Sequence, residues 1–387
     1  MTQSPQQRLT VLQVLPALDS GGVERGTLEV AEELVRRGHR SAVVSGGGRM
    51  VNRLLTAGSE HFTMPIGVKS PLTLRHVAAF RRLLLQFRPD ILHVRSRLPA
   101  WIAWLAWKTL PADQRPHFET TAHGMYSVNR YSAVMTRGEV VIAVSNTIRE
   151  YLLQNYPELP EERIRVVHRG VAPETFPRGF QAASSWTSKF LADHPHAAGK
   201  PLITLPGRIT RLKGHLEFFD LIASLKDAGV EAHGLIVGGA ERGKEHYLRE
   251  LKSEVESRGL TRDVTFTGLR RDIQEIFSIS RMVLSLSRKP ESFGRTVLEA
   301  INLGVPVVGY DMGGVGEILE QLFPAGRVPP GDADALRECV QHVLAHPPEV
   351  PQNSRFTLQE MLDKTLDIYE ALTGRSDQAA SPINAAA

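Results

Sequence analysis

Residues 281–311 read RMVLSLSRKPESFGRTVLEAINLGVPVVGYD. Apolar runs at 281–287 and 306–311 flank a stretch whose helical pattern begins near Phe293 to Arg295. The runs are short enough for buried strands, and the segment between them is long enough for a helix. Strand, helix, strand is a crossover unit, so the two runs predict neighbouring parallel strands. Strand–helix alternation of this kind implies a parallel sheet covered on both faces.

Outward from this unit the same rhythm fills the chain. Apolar runs at 202–208, 232–239 and 263–268 precede it, and together the five predict one parallel sheet. Runs at 9–16, 41–46, 90–94, 117–122, 140–145 and 163–171 predict another. Between them, 172–201 is rich in Pro, Gly, Ala and Ser and has weak periodicity, the composition of a linker with one short helix. The expected architecture is α/β, with two facing Rossmann-like doubly wound parallel-sheet domains and a cleft between them. Their expected bounds are 1–180 and 201–355, joined by a linker at 181–200. An amphipathic helix at 356–373 closes the fold, and a small, polar tail at 374–387 is expected to be disordered.

Bulk composition agrees. A chain of 387 residues exceeds one ordinary core, and 42% hydrophobic with 23% charged residues is the make-up of a soluble globular protein. No window holds the roughly 18 uninterrupted apolar residues of a spanning helix, and the opening MTQSPQQRLT lacks the apolar centre of a signal peptide. Cys339 is the single cysteine, so no disulfide forms within the chain and the cytoplasm is the default compartment. Residues 1–180 carry 23 Lys and Arg against 15 Asp and Glu, whereas 181–387 carry 23 against 27. A basic first half favours an acidic partner.

In doubly wound sheets ligands bind beyond the carboxyl ends of the strands, which confines the search for chemistry to strand-to-helix loops. After the first strand, Gly21 and Gly22 allow close backbone approach at a helix start, a setting for an anion. The pattern is not G-x-G-x-x-G, so a dinucleotide fingerprint is missing. After the first strand of the second half, Arg208 and Lys213 lie across a turn where both can face one diphosphate. In the opening stretch, Glu291 falls in the loop and Glu299 one turn inside the helix. Two carboxylates accept from hydroxyls, while N–H groups around Gly294, Arg295 and Thr296 donate to phosphate or sugar oxygens, so a phosphorylated, polyhydroxylated ligand would use both. YDMGGVGEILE repeats the Gly-Gly device with Glu317 just inside, and His123 stands at the carboxyl end of a first-half strand. Asp332 and Asp334 open a helix, where capping explains them better than metal binding. No His/Cys cluster has metal-ligand spacing, so no metal is expected.

With these motifs together, ESFGRTVLEAINLGVPVVGYDMGGVGEIL resembles the signature of retaining glycosyltransferase family 4, whose fold is GT-B. GGVERGTLEVAEELVRRGH, VSNTIREYL, VVHRGV and GRITRLKGH also match, so the resemblance spans nearly the whole chain apart from the tail. It implies that Gly22, beside Gly21, approaches the donor diphosphate and that Arg208 and Lys213 neutralise it as it leaves. Glu291 would contact the transferred sugar near the reacting carbon, and Glu299 would hold the ribose. Ser292 and the backbone of Phe293, Gly294, Arg295, Thr296 and Val297 would bind sugar hydroxyls and phosphate. His123 would lie near the sugar, Leu269 and Arg270 would bracket the base, and Glu317 would support the donor loop. The donor would be a nucleotide-diphosphate sugar, a UDP-sugar before GDP-mannose, with no divalent metal and no other cofactor.

The leaving diphosphate gains charge in the transition state, so fixed cations there accelerate transfer. One carboxylate near an oxocarbenium-like carbon, with no evident second one opposite, favours same-face displacement with retention. The resemblance extends to bacterial enzymes building lipopolysaccharide core or other envelope glycans. It implies an anionic glycan or lipid-linked acceptor, no nucleic acid, and a cytoplasmic protein resting peripherally on the membrane's inner face. Trp101, Trp104 and Trp107, with Arg95, Arg97 and Lys108, form a stripe suited to a lipid interface or to packing on the sheet. The competing expectations are an epimerase- or synthase-type nucleotide-sugar enzyme and an inactive sugar-nucleotide-binding scaffold.

Overall fold

The computed structural model describes residues 8–375 except 20, 241, 242 and 244. The chain divides into two units, one formed by residues up to His168 together with those from Gln359 onward, the other by Arg169–Leu358. In the first, β1 (Thr10–Val14), β2 (Arg40–Ser45), β3 (Glu60–Thr63), β4 (Ile91–Val94), β5 (His117–Ala122), β6 (Val140–Ala143) and β7 (Ile164–Val166) form one sheet in the order β3-β2-β1-β4-β5-β6-β7. In the second, β8 (Leu202–Pro206), β9 (His233–Val237), β10 (Val264–Gly268), β11 (Met282–Ser285), β12 (Val307–Tyr310) and β13 (Arg327–Val328) follow the order β10-β9-β8-β11-β12-β13. Every pairing in both sheets is parallel. These are two Rossmann-like doubly wound sheets, as the apolar runs imply.

The central strands explain why the runs do not alternate. All four residues of β4 and all five of β8 are buried, because helices cover both faces. Phe218 and Phe219 of the helix His215–Asp227 are fully buried, each stabilising the second core by about 1.5–3 kcal/mol. The strands without an apolar run lie at sheet edges: β3 reads EHFT and is only partly buried, and β13 has two residues. The run at 163–171 yields a strand of three residues only.

Two helices join sheets that periodicity does not specify. The stretch 172–201 contains the helix Ser184–Asp193, whose Phe190 packs with Leu202, Leu235 and Ile276 of the second unit. The helix Leu358–Thr373 docks on the first sheet, although its sequence neighbours belong to the second unit. Its Tyr369 is fully buried against a polar row, Gln13 on β1, His93 on β4 and Glu119 on β5, which share one register level. His93 Nδ1 lies 2.6 Å from the Tyr369 hydroxyl and Nε2 lies 2.6 Å from the Thr121 hydroxyl. The expected tail, from residue 376 on, lies outside the described residues.

Candidate active site

In the second sheet the chain moves from β8 outward to β9 and β10, then returns to place β11 on the other side of β8. The loops after β8 and β11 therefore part at the switch point, opening a crevice at the carboxyl ends of the strands. The loop after β8 carries Arg208 and Lys213, and the loop after β11 carries Ser287 and Glu291. Lys213 Nζ donates to Glu291 Oε1 at 2.6 Å, and the Ser287 hydroxyl donates to the same oxygen. Lys213 and Glu291 side chains are each 25% exposed, so the pair can be reached from solvent. Burial pushes the Glu291 carboxyl up, but Lys213, the Ser287 hydroxyl and the charge of Arg208 outweigh it, and the group sits below its ordinary value.

Glycines make this approach possible. Gly214 has φ +73° at the start of the helix His215–Asp227, and a Cβ there would lie 2.0 Å from the Leu286 carbonyl oxygen. Only glycine lets the residue after Lys213 rest on the end of the β11 segment. Gly313, at φ +62°, would bring a Cβ within 2.7 Å of the Glu291 carbonyl oxygen. Glu291 and Gly313 form a parallel bridge, and the Gly314 N–H donates to Glu291 O at 2.8 Å. The backbone of Glu291 is thus fixed on the start of the helix Gly313–Leu322 while its side chain reaches across to Lys213.

The other expected residues of this unit surround that pair in sequence but differ in exposure. Gly294, at φ +101°, caps the helix Arg295–Leu303. Glu299 is buried in that helix and pairs with Arg295 Nε at 3.3 Å. Phe293 and Val297 point into the core, and the Val297 N–H already donates to Gly294 O, so these two have their backbones, not side chains, near the helix start. Ser292 and Thr296 are half-buried, as is Glu317 one turn into its helix. Leu269, 81% exposed, follows β10, and its Cβ lies beside Gly239 after β9. Arg270 pairs with Asp272, which accepts from Trp186 Nε1 at 2.9 Å, so the helix Ser184–Asp193 braces this turn.

Gly21, Gly22 and His123 belong to the first unit. Gly21 and Gly22 are exposed at the start of the helix Gly22–Arg36, after β1, beside the first sheet's own switch point. His123 follows β5, is half-buried, and its backbone N–H donates to the Tyr126 hydroxyl at 3.2 Å. The tryptophan stripe packs inward: Trp101 Nε1 donates to Tyr131 O and Trp107 Nε1 to Pro116 O, each at 2.8 Å, while Trp104 sits edge-to-face on Trp101. Asp332 caps the helix Ala333–Ala345 by accepting from the Ala335 N–H at 2.9 Å. Ser287 is the site residue that sequence reasoning misses; the available signal is a hydroxyl four positions before Glu291, at a strand end.

With this geometry in place, comparison with known proteins defines the class. The family description Glycosyltransferase Family 4 matches residues 20–175, and Glycosyl transferases group 1 matches residues 187–357. The crystal structure of a glycosyltransferase from Rickettsia africae ESF-5 is 30% identical, with TM-score 0.82, over 96% of this chain and 100% of that one. The chain belongs to glycosyltransferase family 4 and has the GT-B fold. Anabaena HepE, solved with UDP-glucose, shares the fold at TM-score 0.78 and 19% identity, over 94% of this chain and 100% of that one. The 2-deoxystreptamine N-acetyl-D-glucosaminyltransferase of Streptomyces fradiae is 28% identical over 188 residues, 46% of this chain but only 44% of that enzyme.

Proposed function

We propose that this protein is a retaining, metal-independent glycosyltransferase that moves a sugar from a UDP-sugar to a glycan or lipid-linked acceptor in lipopolysaccharide core or envelope polysaccharide synthesis. The observation that carries the reading is the Lys213–Glu291 pair at the switch point of the second sheet, with Arg208 acting on it. Lys213 and Arg208 are the cations for a diphosphate that gains charge as it leaves, and this removes the need for a divalent ion. Glu291, held below its ordinary value by Lys213, Ser287 and Arg208 together, is the carboxylate for the carbon that becomes oxocarbenium-like. We assign ribose, phosphate and base to Glu299, the helix start at Gly294 and the Leu269–Arg270 turn, which lie in the same unit as the pair. HepE's complex with UDP-glucose supports a uridine donor.

On the acceptor side, between Glu60 and Asp90 the first unit carries five Lys and Arg and no acid. Val68, Leu72 and Leu74 in that stretch are 55%, 70% and 54% exposed. Basic charge with exposed apolar tips fits a peripheral contact with an anionic membrane face better than the inward-packed tryptophans do. Flotation with phosphatidylglycerol vesicles checks it, and absence of binding at low salt removes the membrane contact.

The decisive experiment is incubation with UDP-, GDP- and ADP-sugars, with product analysis and Glu291→Gln alongside. Glu291→Gln is expected to lower turnover by about 10²–10³-fold while UDP still binds. Near-normal transfer by that variant overturns the assignment.

A further inference from the structure

We infer that Ser287 is a positioning residue for Glu291: its hydroxyl holds the carboxylate in place once the donor diphosphate draws Lys213 away. The inference rests on the transferase reading above and adds a residue to it. Glu291 Oε1 receives two donors, Lys213 Nζ and the Ser287 hydroxyl. The two differ in what they can do next. Lys213 ends a flexible four-carbon stem and carries a compact charge that a diphosphate attracts more strongly than one carboxylate does. When Lys213 turns to phosphate, Glu291 loses its contact cation. Ser287 cannot follow, because its side chain is short and its residue, 7% exposed, is set at the end of the β11 segment.

The backbone of Glu291 is already anchored through its bridge to Gly313. The remaining freedom lies in the carboxylate, and the Ser287 hydroxyl removes it. A hydroxyl-to-carboxylate hydrogen bond also favours the ionised form. The groups that act on this carboxyl are Lys213 and Arg208 from the loop after β8 and Ser287 from its own loop. With Lys213 engaged by phosphate, Ser287 is the neutral donor left to keep Glu291 an anion beside the reacting carbon.

The test compares wild type, Ser287→Ala and Ser287→Thr in initial-rate kinetics with the active donor, in UDP binding by calorimetry, and in the pH profile of kcat. Ser287→Ala is expected to lower kcat by about 10- to 100-fold, the value of a hydrogen bond to a charged group. Its KM for donor and its Kd for UDP are expected to stay within about twofold, because Arg208 and Lys213 are intact. The acid limb of its kcat profile moves to higher pH, since one donor holding Glu291 ionised is gone, whereas Ser287→Thr keeps that limb where wild type has it. Unchanged kcat in Ser287→Ala, or reduced kcat with an unmoved acid limb, overturns the inference and leaves the transferase reading standing. A wild-type protein that turns over no nucleotide sugar overturns the reading, and the inference with it.

Discussion

The two sheets share one strand order around β1 and β8 yet treat their titratable groups in opposite ways. In the first, Glu119 sits mid-strand, fully buried, in a row with Gln13 and His93 that Tyr369 seals. Burial drives its carboxyl well above the ordinary value, and the charge of Arg95 opposes this without winning. In the second, Glu291 stands beyond the strand end, a quarter exposed, with Lys213 in direct contact. Burial raises it too, but the cation and the hydroxyl prevail and the group falls below its ordinary value. The backbone is the same in kind, so position along the strand decides the chemistry. Burial inside the sheet pushes a glutamate toward its neutral form, whereas a cation at the switch-point rim favours the ionised form that can meet a ligand.

The largest expected break of this contrast is Lys213→Ala. It removes the contact cation from Glu291 and one of two cations proposed for the leaving diphosphate. Turnover is expected to fall about 10²–10³-fold, and the acid limb of its kcat/KM profile, which reports the free enzyme, to move to higher pH because Glu291 loses the charge that lowers its pKa. A loss below about fivefold places the contrast elsewhere than in this pair.

Next in size is Glu119→Gln, which sharpens the other half. Glu119 has a folded pKa raised above its unfolded value near 4.5. Its contribution is therefore fully present below that value and is lost as pH rises toward the folded pKa. In that window wild type is expected to lose stability relative to the Gln variant by about 1.4 kcal/mol per pH unit. Urea unfolding read by fluorescence in a Trp186→Phe background reports the first unit, since Trp101, Trp104 and Trp107 all lie there. Parallel curves for the two proteins from pH 5 to pH 8 would show that Glu119 is ionised in the fold.

The same contrast explains what the sequence discloses. Runs such as 140–145 and 202–208 are legible because a parallel strand is apolar on both faces, whereas EHFT of β3 gives no run because an edge strand tolerates polar residues. Helical spacing reveals the helix expected at 356–373, while the weak periodicity of 172–201 gives one short helix without bounds; spacing describes only a helix's own faces, so it does not say which sheet each one covers. The switch-point rule selects the loops that hold Arg208, Lys213 and Glu291. It does not give the meeting of Lys213 with Glu291, 78 positions apart, which depends on Gly214 and Gly313 allowing close backbone contacts. Ser287 stays hidden because a serine at a strand end is common, and only its hydrogen bond to Glu291 distinguishes it.

The smallest expected effect tests whether the sealed row is separate from the rim site. Tyr369→Phe keeps the ring that fills the first unit's core and removes the hydroxyl, which faces His93 Nδ1 and also hydrogen-bonds the buried Arg95. The other nitrogen keeps Thr121, so one buried ring nitrogen loses its close hydroxyl partner. Losing a partner from a buried polar atom costs about 1–3 kcal/mol, and no cavity of consequence forms because the phenyl ring stays. Urea unfolding of the first unit should register that loss. Turnover at 25 °C should stay within about twofold of wild type, because Lys213, Ser287 and Glu291 belong to the other unit. If stability holds but turnover falls tenfold, the row beneath the C-terminal helix is coupled to the chemistry, and the division between a sealed structural cluster and an open reactive one gives way.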